Sequence, residues 1–146
     1  FLPDVHAAGQ KATQGMYLTA SWYCDLNDQT RGWSKRWEAK MHRAPSMLQA
    51  GDYSAALTHL NAVKATGTDD DDTVMKWIKS NKNNDMFTHG GYVRADGTLI
   101  RDMYLMQVKT PQESKSEWDL YKVIATLPGE DVFTKPADSP CKLLKK

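Results

Sequence analysis

Four histidines, two cysteines and a run of four aspartates are the first residues of this chain to consider for chemistry. The histidines are His6, His42, His59 and His89. None forms H-E-x-x-H, and no pair stands four apart with a carboxylate between, so no helical zinc pair is written here. Each reads as a surface histidine. Asp69–Asp72 suggests calcium, but an EF-hand loop begun at Asp69 needs Gly in sixth place and Glu in twelfth. Those places hold Val74 and Ser80. Four carboxylates there instead suit the positive end of a helix dipole. Cys24 lacks the glycine or histidine context of a nucleophile and reads as a buried thiol or half of a disulfide. A Cys24–Cys141 bridge would close a long loop and stabilise by about 4 to 5 kcal/mol in the chain-entropy model. Cys141 could equally pair with a part of the protein outside this sequence. No G-x-S-x-G, Walker A or G-x-G-x-x-G occurs, and Gly90-Gly91 reads as a turn. No catalytic residue, metal site or cofactor is therefore expected. What remains is the aromatic pair Trp22-Tyr23 at the end of a strand, where an α/β sheet places ligands. The competing reading is that both rings are core.

The elements that must position this pair follow from periodicity and punctuation. Gly15–Tyr23 is rich in β-formers and predicts a strand. Asn27 or Asp28 caps a helix on which Trp33, Trp37 and Met41 share one face, ending before Pro45. Ser46 caps a second helix, lined on one side by Leu48, Tyr53, Ala56, Leu57, Leu60 and Val63 and stopped by Gly67. Thr68 and Asp69–Asp72 open a third, with Val74, Trp77 and Ile78 inward and Asn81, Asn83 and Asn84 fraying its end. Beyond residue 85 the period becomes 2. Strands are predicted at Met86–Val93, Asp102–Lys109 and Tyr121–Leu127, with a tight turn at Arg94–Gly97. The last 14 residues read as a surface extension.

The whole has 146 residues, a formal charge of +1 and 40% hydrophobic residues, which bounds it to about one ordinary globular domain. Near-neutral charge gives no electrostatic case for nucleic acid or an anionic membrane. No run approaches the roughly 20 apolar residues of a membrane span. Two cysteines exclude a disulfide-dense mini-protein and a four-Cys zinc site. The chain begins at Phe1, without Met or a charged-then-apolar leader, and so reads as a processed mature chain or a fragment.

The order of four segments is itself informative: QGMYLTASWYCDLND, PSMLQAGDYSAALTHLNAVKATGT, GGYVRADGTLIRDMYLMQVKTP and SEWDLYKVIATLPGEDVF. Together they resemble the C-terminal part of ABC-transporter solute-binding proteins of the branched-chain amino-acid (Leu/Ile/Val-binding) type. The resemblance implies an α/β fold, the C-terminal portion of a two-lobed type I periplasmic-binding protein. It implies residues 1–20 as a remnant of the second lobe and 21–28 as a hinge crossing. Residues 29–126 would be first-lobe helices and strands, and 127–146 a return crossing with an extension.

The function implied is extracytoplasmic solute binding without catalysis. In the periplasm, a small amino acid, amide or aromatic carboxylate would sit in an interlobe cleft and pass to an ABC permease in the membrane. By the same resemblance the ligand-binding residues are Phe1 and Asp4 in a rim loop, Trp22 and Tyr23 at the hinge crossing, and Gln49 and Tyr53 at a helix start. Cys24 stands where relatives are expected to carry an aromatic residue. Trp33, Trp37 and Trp77 are expected to lie exposed and to need a partner, either a missing N-terminal half or an element-exchanged homodimer. The alternative is a ligand-sensing regulatory domain of the same fold. A third reading, a small enzyme using Asp4, His6 or Cys24, has only the residue types in its favour.

Overall fold

In the computed structural model, which describes residues 1–140, local sequence signals set most element ends. A short helix, α1 (Leu2–Ala8), has Pro3 in its first turn, where a missing N–H costs nothing. Gly9 breaks it at φ 88°, and α2 (Gln10–Thr13) follows. Phe1–Asp4 is therefore the start of a helix rather than a loop. Strand β1 covers Tyr17–Ala20 only. It is shorter than its β-formers predict because Trp22 and Tyr23 leave the sheet and turn into the core.

Helix α3 (Asp28–Met41) begins with a reciprocal cap. Asn27 accepts from the Thr30 N–H, and the Thr30 side chain answers at the Asn27 N–H. Helix α4 (Met47–Thr66) has the same device in Ser46 and Gln49, and ends on Gly67 at φ 72°. Helix α5 (Asp71–Ser80) is capped by Asp70, whose carboxylate accepts from Thr73 and is held below its usual range by that bonding. The acidic run is thus a helix start. The three asparagines expected to fray α5 instead lie in or beside a strand, β2 (Lys82–Asn84).

β2 pairs antiparallel with β3 (His89–Val93), and β3 with β4 (Leu99–Ile100). The predicted strand over 86–93 starts late, because the Asp85 carboxylate caps the Phe87 and Thr88 N–H groups and makes a turn there. The second sheet runs β1-β5-β6, with β5 at Met103–Val108 and β6 at Tyr121–Leu127, again all antiparallel. Its register pairs Tyr17 with Gln107 and Val108 with Tyr121, so residues 17–20 are joined in one sheet with 103–108 and 121–127. A short helix, α6 (Gly129–Val132), follows. Cys141 and the terminal Lys145-Lys146 lie outside the described residues.

One core joins these parts. It gathers Leu2, Trp22, Tyr23, Trp33, Met106 and Tyr121, among others. Trp33 is buried rather than exposed: it meets Trp22 edge-on at 5.6 Å and stacks on Trp37 at 5.6 Å. Trp37 and Trp77 are half-buried, and Met41, predicted on the same face as Trp33, is exposed. The inward residues of α4 are also not its large ones. Ala50, Ser54 and Ala62 are buried, while Leu48, Tyr53 and Leu60 are exposed. Small side chains let neighbours come close: the Phe87 ring lies 3.4 Å from where a Cβ on Gly51 would stand.

Candidate functional site

Trp22 and Tyr23 are fixed by their polar tips. The Trp22 Nε1–H donates to the Met86 carbonyl at 2.9 Å. The Tyr23 hydroxyl donates to the Trp118 carbonyl at 3.1 Å and accepts from the N–H groups of Leu120 and Tyr121. Burial pushes the Tyr23 phenol far above its ordinary value, with the nearby Cys24 adding to the rise. Both side chains are structural anchors, and what they turn toward a cavity is ring surface.

That cavity measures about 130 Å³ and lies between β1, the start of α1 and the N-terminus of α4. Phe1, Trp22, Tyr23, Met47 and Tyr121 line it, together with Ser46. A second cavity of about 310 Å³ adjoins it. The two share Phe1, Leu18 and Tyr121, and Asp4 lines the second. Three of the six residues expected at the site, Phe1, Trp22 and Tyr23, are thus brought together, with Asp4 in the neighbouring space.

Gln49 and Tyr53 are placed elsewhere. The Gln49 Oε1 accepts from the Ser46 N–H at 2.9 Å and from its hydroxyl at 2.7 Å, so its acceptor closes the helix cap. Tyr53 packs on Trp33 at 5.4 Å and lines a separate groove between α3 and α4, with Trp33, Arg36 and Asp85. The family resemblance put both at the start of a helix facing the cleft; here Gln49 turns to its own helix cap and Tyr53 to α3.

Tyr121 lines both cavities as well, a place its sequence context did not reveal. It sits at the first position of β6, 4% exposed, and its ring tilts against that of Tyr23 at 5.2 Å. Its Oη has no hydrogen-bond partner among the described residues. Burial first, then the charge of Asp4, pushes its phenol up to about 12. The signal available in sequence was only an aromatic residue opening a strand.

Cys24 is buried, and desolvation, with Glu38 and Asp25 nearby, pushes its thiol up to about 12. A thiol held neutral in this way is the reverse of an activated nucleophile. The second half of the expected disulfide, Cys141, is outside the described residues. Among the described residues no group of three or more His, Cys, Asp or Glu is placed to hold a metal ion. No helix there is long and apolar enough to cross a membrane.

Comparison with known proteins agrees with this architecture. The family model described as "Periplasmic binding protein" matches residues 1–116. A solved periplasmic binding protein from Burkholderia mallei is 50% identical, with a TM-score of 0.95 over 99% of this chain and 38% of its own. A branched-chain amino-acid ABC transporter periplasmic ligand-binding protein from Burkholderia xenovorans LB400 is 42% identical, with a TM-score of 0.93. It is covered over 97% of this chain and 38% of its own. An amino-acid ABC transporter substrate-binding protein from Pseudomonas fluorescens Pf-5 is 26% identical, with a TM-score of 0.84 over 97% of this chain and 38% of its own. The chain thus spans 38% of the length of these relatives. No curated protein matches it. The sequence, the fold and the family model agree that the chain belongs to the periplasmic binding protein family, a solute-binding class, and has the type I fold of its branched-chain amino-acid ABC-transporter members.

Proposed function

We propose that this chain is part of the extracytoplasmic solute-binding component of an ABC importer. It would act in the periplasm and hand its solute to a membrane permease. The solute is a small amino acid, amide or aromatic carboxylate. The observation that carries this reading is the convergence of Phe1, Trp22 and Tyr23 on one cavity, next to a second that Asp4 lines. Ring faces suit an apolar or flat group, and the Asp4 carboxylate suits an ammonium. A solute held this way is bound without being changed. The lobe assignment belongs to the same proposal, with one change: residues 21–28 form one crossing, and because β1, β5 and β6 share one sheet the return lies before β5 rather than at residue 127.

Outward-facing Met16, Tyr17, Val123 and Ile124 on or beside the two outer strands of the β1-β5-β6 sheet favour contact with a further part of the protein or with an element-exchanged second copy. The test of the function is isothermal titration of the protein, in its full encoded length, with L-leucine, L-phenylalanine, benzoate and benzamide. Saturable binding of one of them is expected, and Trp22→Ala should weaken it. Binding of none would refute the proposal.

A further inference from the structure

On α4 the residues that helical spacing marks for burial are the ones left outside. Tyr53, Ala56, Leu57, Leu60 and Val63 stand at i, i+3, i+4, i+7 and i+10, the stripe of a helix that faces a core. Yet Leu60 is 62% exposed and Tyr53 43%. Ala56 is exposed as well, and Leu57 and Val63 are half-buried. The packed side of the helix is a different one: Ala50, Ser54 and Ala62 are buried, and Gly51 meets the Phe87 ring. α4 therefore presents apolar residues on two sides, and a helix of that kind is covered on both. Among the described residues it packs on α5, and neither three-stranded sheet covers the stripe. The apolar surface continues beyond the helix. Tyr53 and Leu57 also line the open groove of about 460 Å³ between α3 and α4, with Trp33 and Met86 beside them.

We propose that this surface, the outer stripe of α4 with the adjoining groove, seats the apolar face of a β-sheet supplied by the rest of the same polypeptide. Three observations support that occupant. First, there is chain to supply it. The matched relatives keep the architecture of this chain over 99% of its length at a TM-score of 0.95, yet the chain spans only 38% of theirs. Their remaining length must lie against faces that these residues leave open. Second, the partner fits the architecture. The long helices of an α/β domain cover the faces of a sheet, and a sheet so covered is apolar on that face. α4 is the longest helix here, with 20 residues, and its stripe has no sheet beneath it. Third, a second copy fits poorly. Five side chains of one helix, set against the same five of another, bury less than the roughly 800 Å² per partner of a stable interface. The inference rests on membership of the family and not on the solute. It bears on the candidate site all the same, because Met47 at the start of α4 lines that cavity. The sheet that seats α4 would also brace that wall.

The test uses the protein at its full encoded length, with Leu60→Cys and, separately, Ala56→Cys. Each is exposed to N-ethylmaleimide, and labelling is read at that position by peptide mass spectrometry. Both thiols are expected to label about a hundredfold or more slowly than in the same protein in denaturant, because they react only when α4 lifts from its partner. The protection should not change on dilution, since the partner is in the same chain. A second measurement needs no variant. Hydroxyl-radical footprinting of the native protein should spare Tyr53 and Leu60 at doses that modify both in the denatured chain. Labelling at the denatured rate, or native modification of Tyr53 and Leu60, would show the surface open to solvent and overturn the proposal. Protection that is lost on dilution would make a second copy the occupant and overturn it too. Either result leaves the solute-binding reading standing, because the titrations above decide that reading by themselves.

Discussion

Replacing Gly129 with alanine would drive a methyl group into the backbone of Arg101. A Cβ built at Gly129 stands 2.5 Å from the Arg101 carbonyl oxygen, 2.7 Å from its nitrogen and 2.8 Å from its carbonyl carbon. All three neighbours are main chain, so no side chain can swing away. The segment that must move also holds the buried Arg101, whose guanidinium ties β1's exit at Ser21 to the Phe87 ring. Overpacking of this kind costs about 1 to 3 kcal/mol, and a contact with backbone alone belongs at about 3. For a chain of this size that lowers the melting midpoint by roughly 6 to 12 °C. The assay is a thermal melt followed by far-ultraviolet circular dichroism, with Gly32→Ala as the control. Gly32 lies inside α3 with nothing within 4 Å of its would-be Cβ. There alanine should add about 0.5 to 1 kcal/mol by helix propensity and raise the midpoint by roughly 1 to 4 °C. A Gly129→Ala protein that melts with wild type would refute the reasoning, because the close approach of β6's exit to Arg101 would then be unimportant to the fold.

Other outcomes follow from named contacts. Gln49→Ala should lower stability by about 1 kcal/mol through loss of the α4 cap while leaving solute affinity unchanged; a large affinity loss at equal stability would return Gln49 to the site. Thr30→Val, almost isosteric, should cost about 1 to 3 kcal/mol in urea denaturation. Thr30 is buried, and its hydroxyl serves the N–H groups of Leu26 and Asn27. Stability should also fall as pH rises from about 9 through about 12, in urea titrations under reducing conditions. Cys24, Tyr23 and Tyr121 all hold their protons more tightly folded than unfolded, so the native state binds more protons across this window. Each group that has lost its proton only in the unfolded chain contributes about 1.4 kcal/mol per pH unit to that fall. Arg101, lowered to about 10 by burial, works in the opposite direction but is one group against three. A flat profile to pH 11 would show that these three side chains are not desolvated.

The sequence alone determined the parts whose physics is local. Asn27, Ser46 and Gly67 set the ends of α3 and α4, because a side chain or a left-handed glycine there satisfies backbone groups within the same turn. Alternation and a following Pro-Gly marked β6 to the residue. The ordered run of segments from Gln14 to Phe133 pointed to the family. Local chemistry did not say which apolar residues would be covered. Trp33 was expected outside and is inside, because the rings of Trp22 and Trp37 close over it from distant or neighbouring turns. Leu48, Tyr53 and Leu60 of α4 were expected inside and are exposed, because that helix packs most closely through alanine and serine. Nor could spacing tell a cap from a ligand-binding group at Gln49, or find Tyr121. Its burial depends on Phe1, Leu18 and Tyr23 arriving from more than ninety residues away, and none of them offers its hydroxyl a partner. Burial and orphaned polarity are sums over neighbours remote in sequence, so only the tertiary structure decided them.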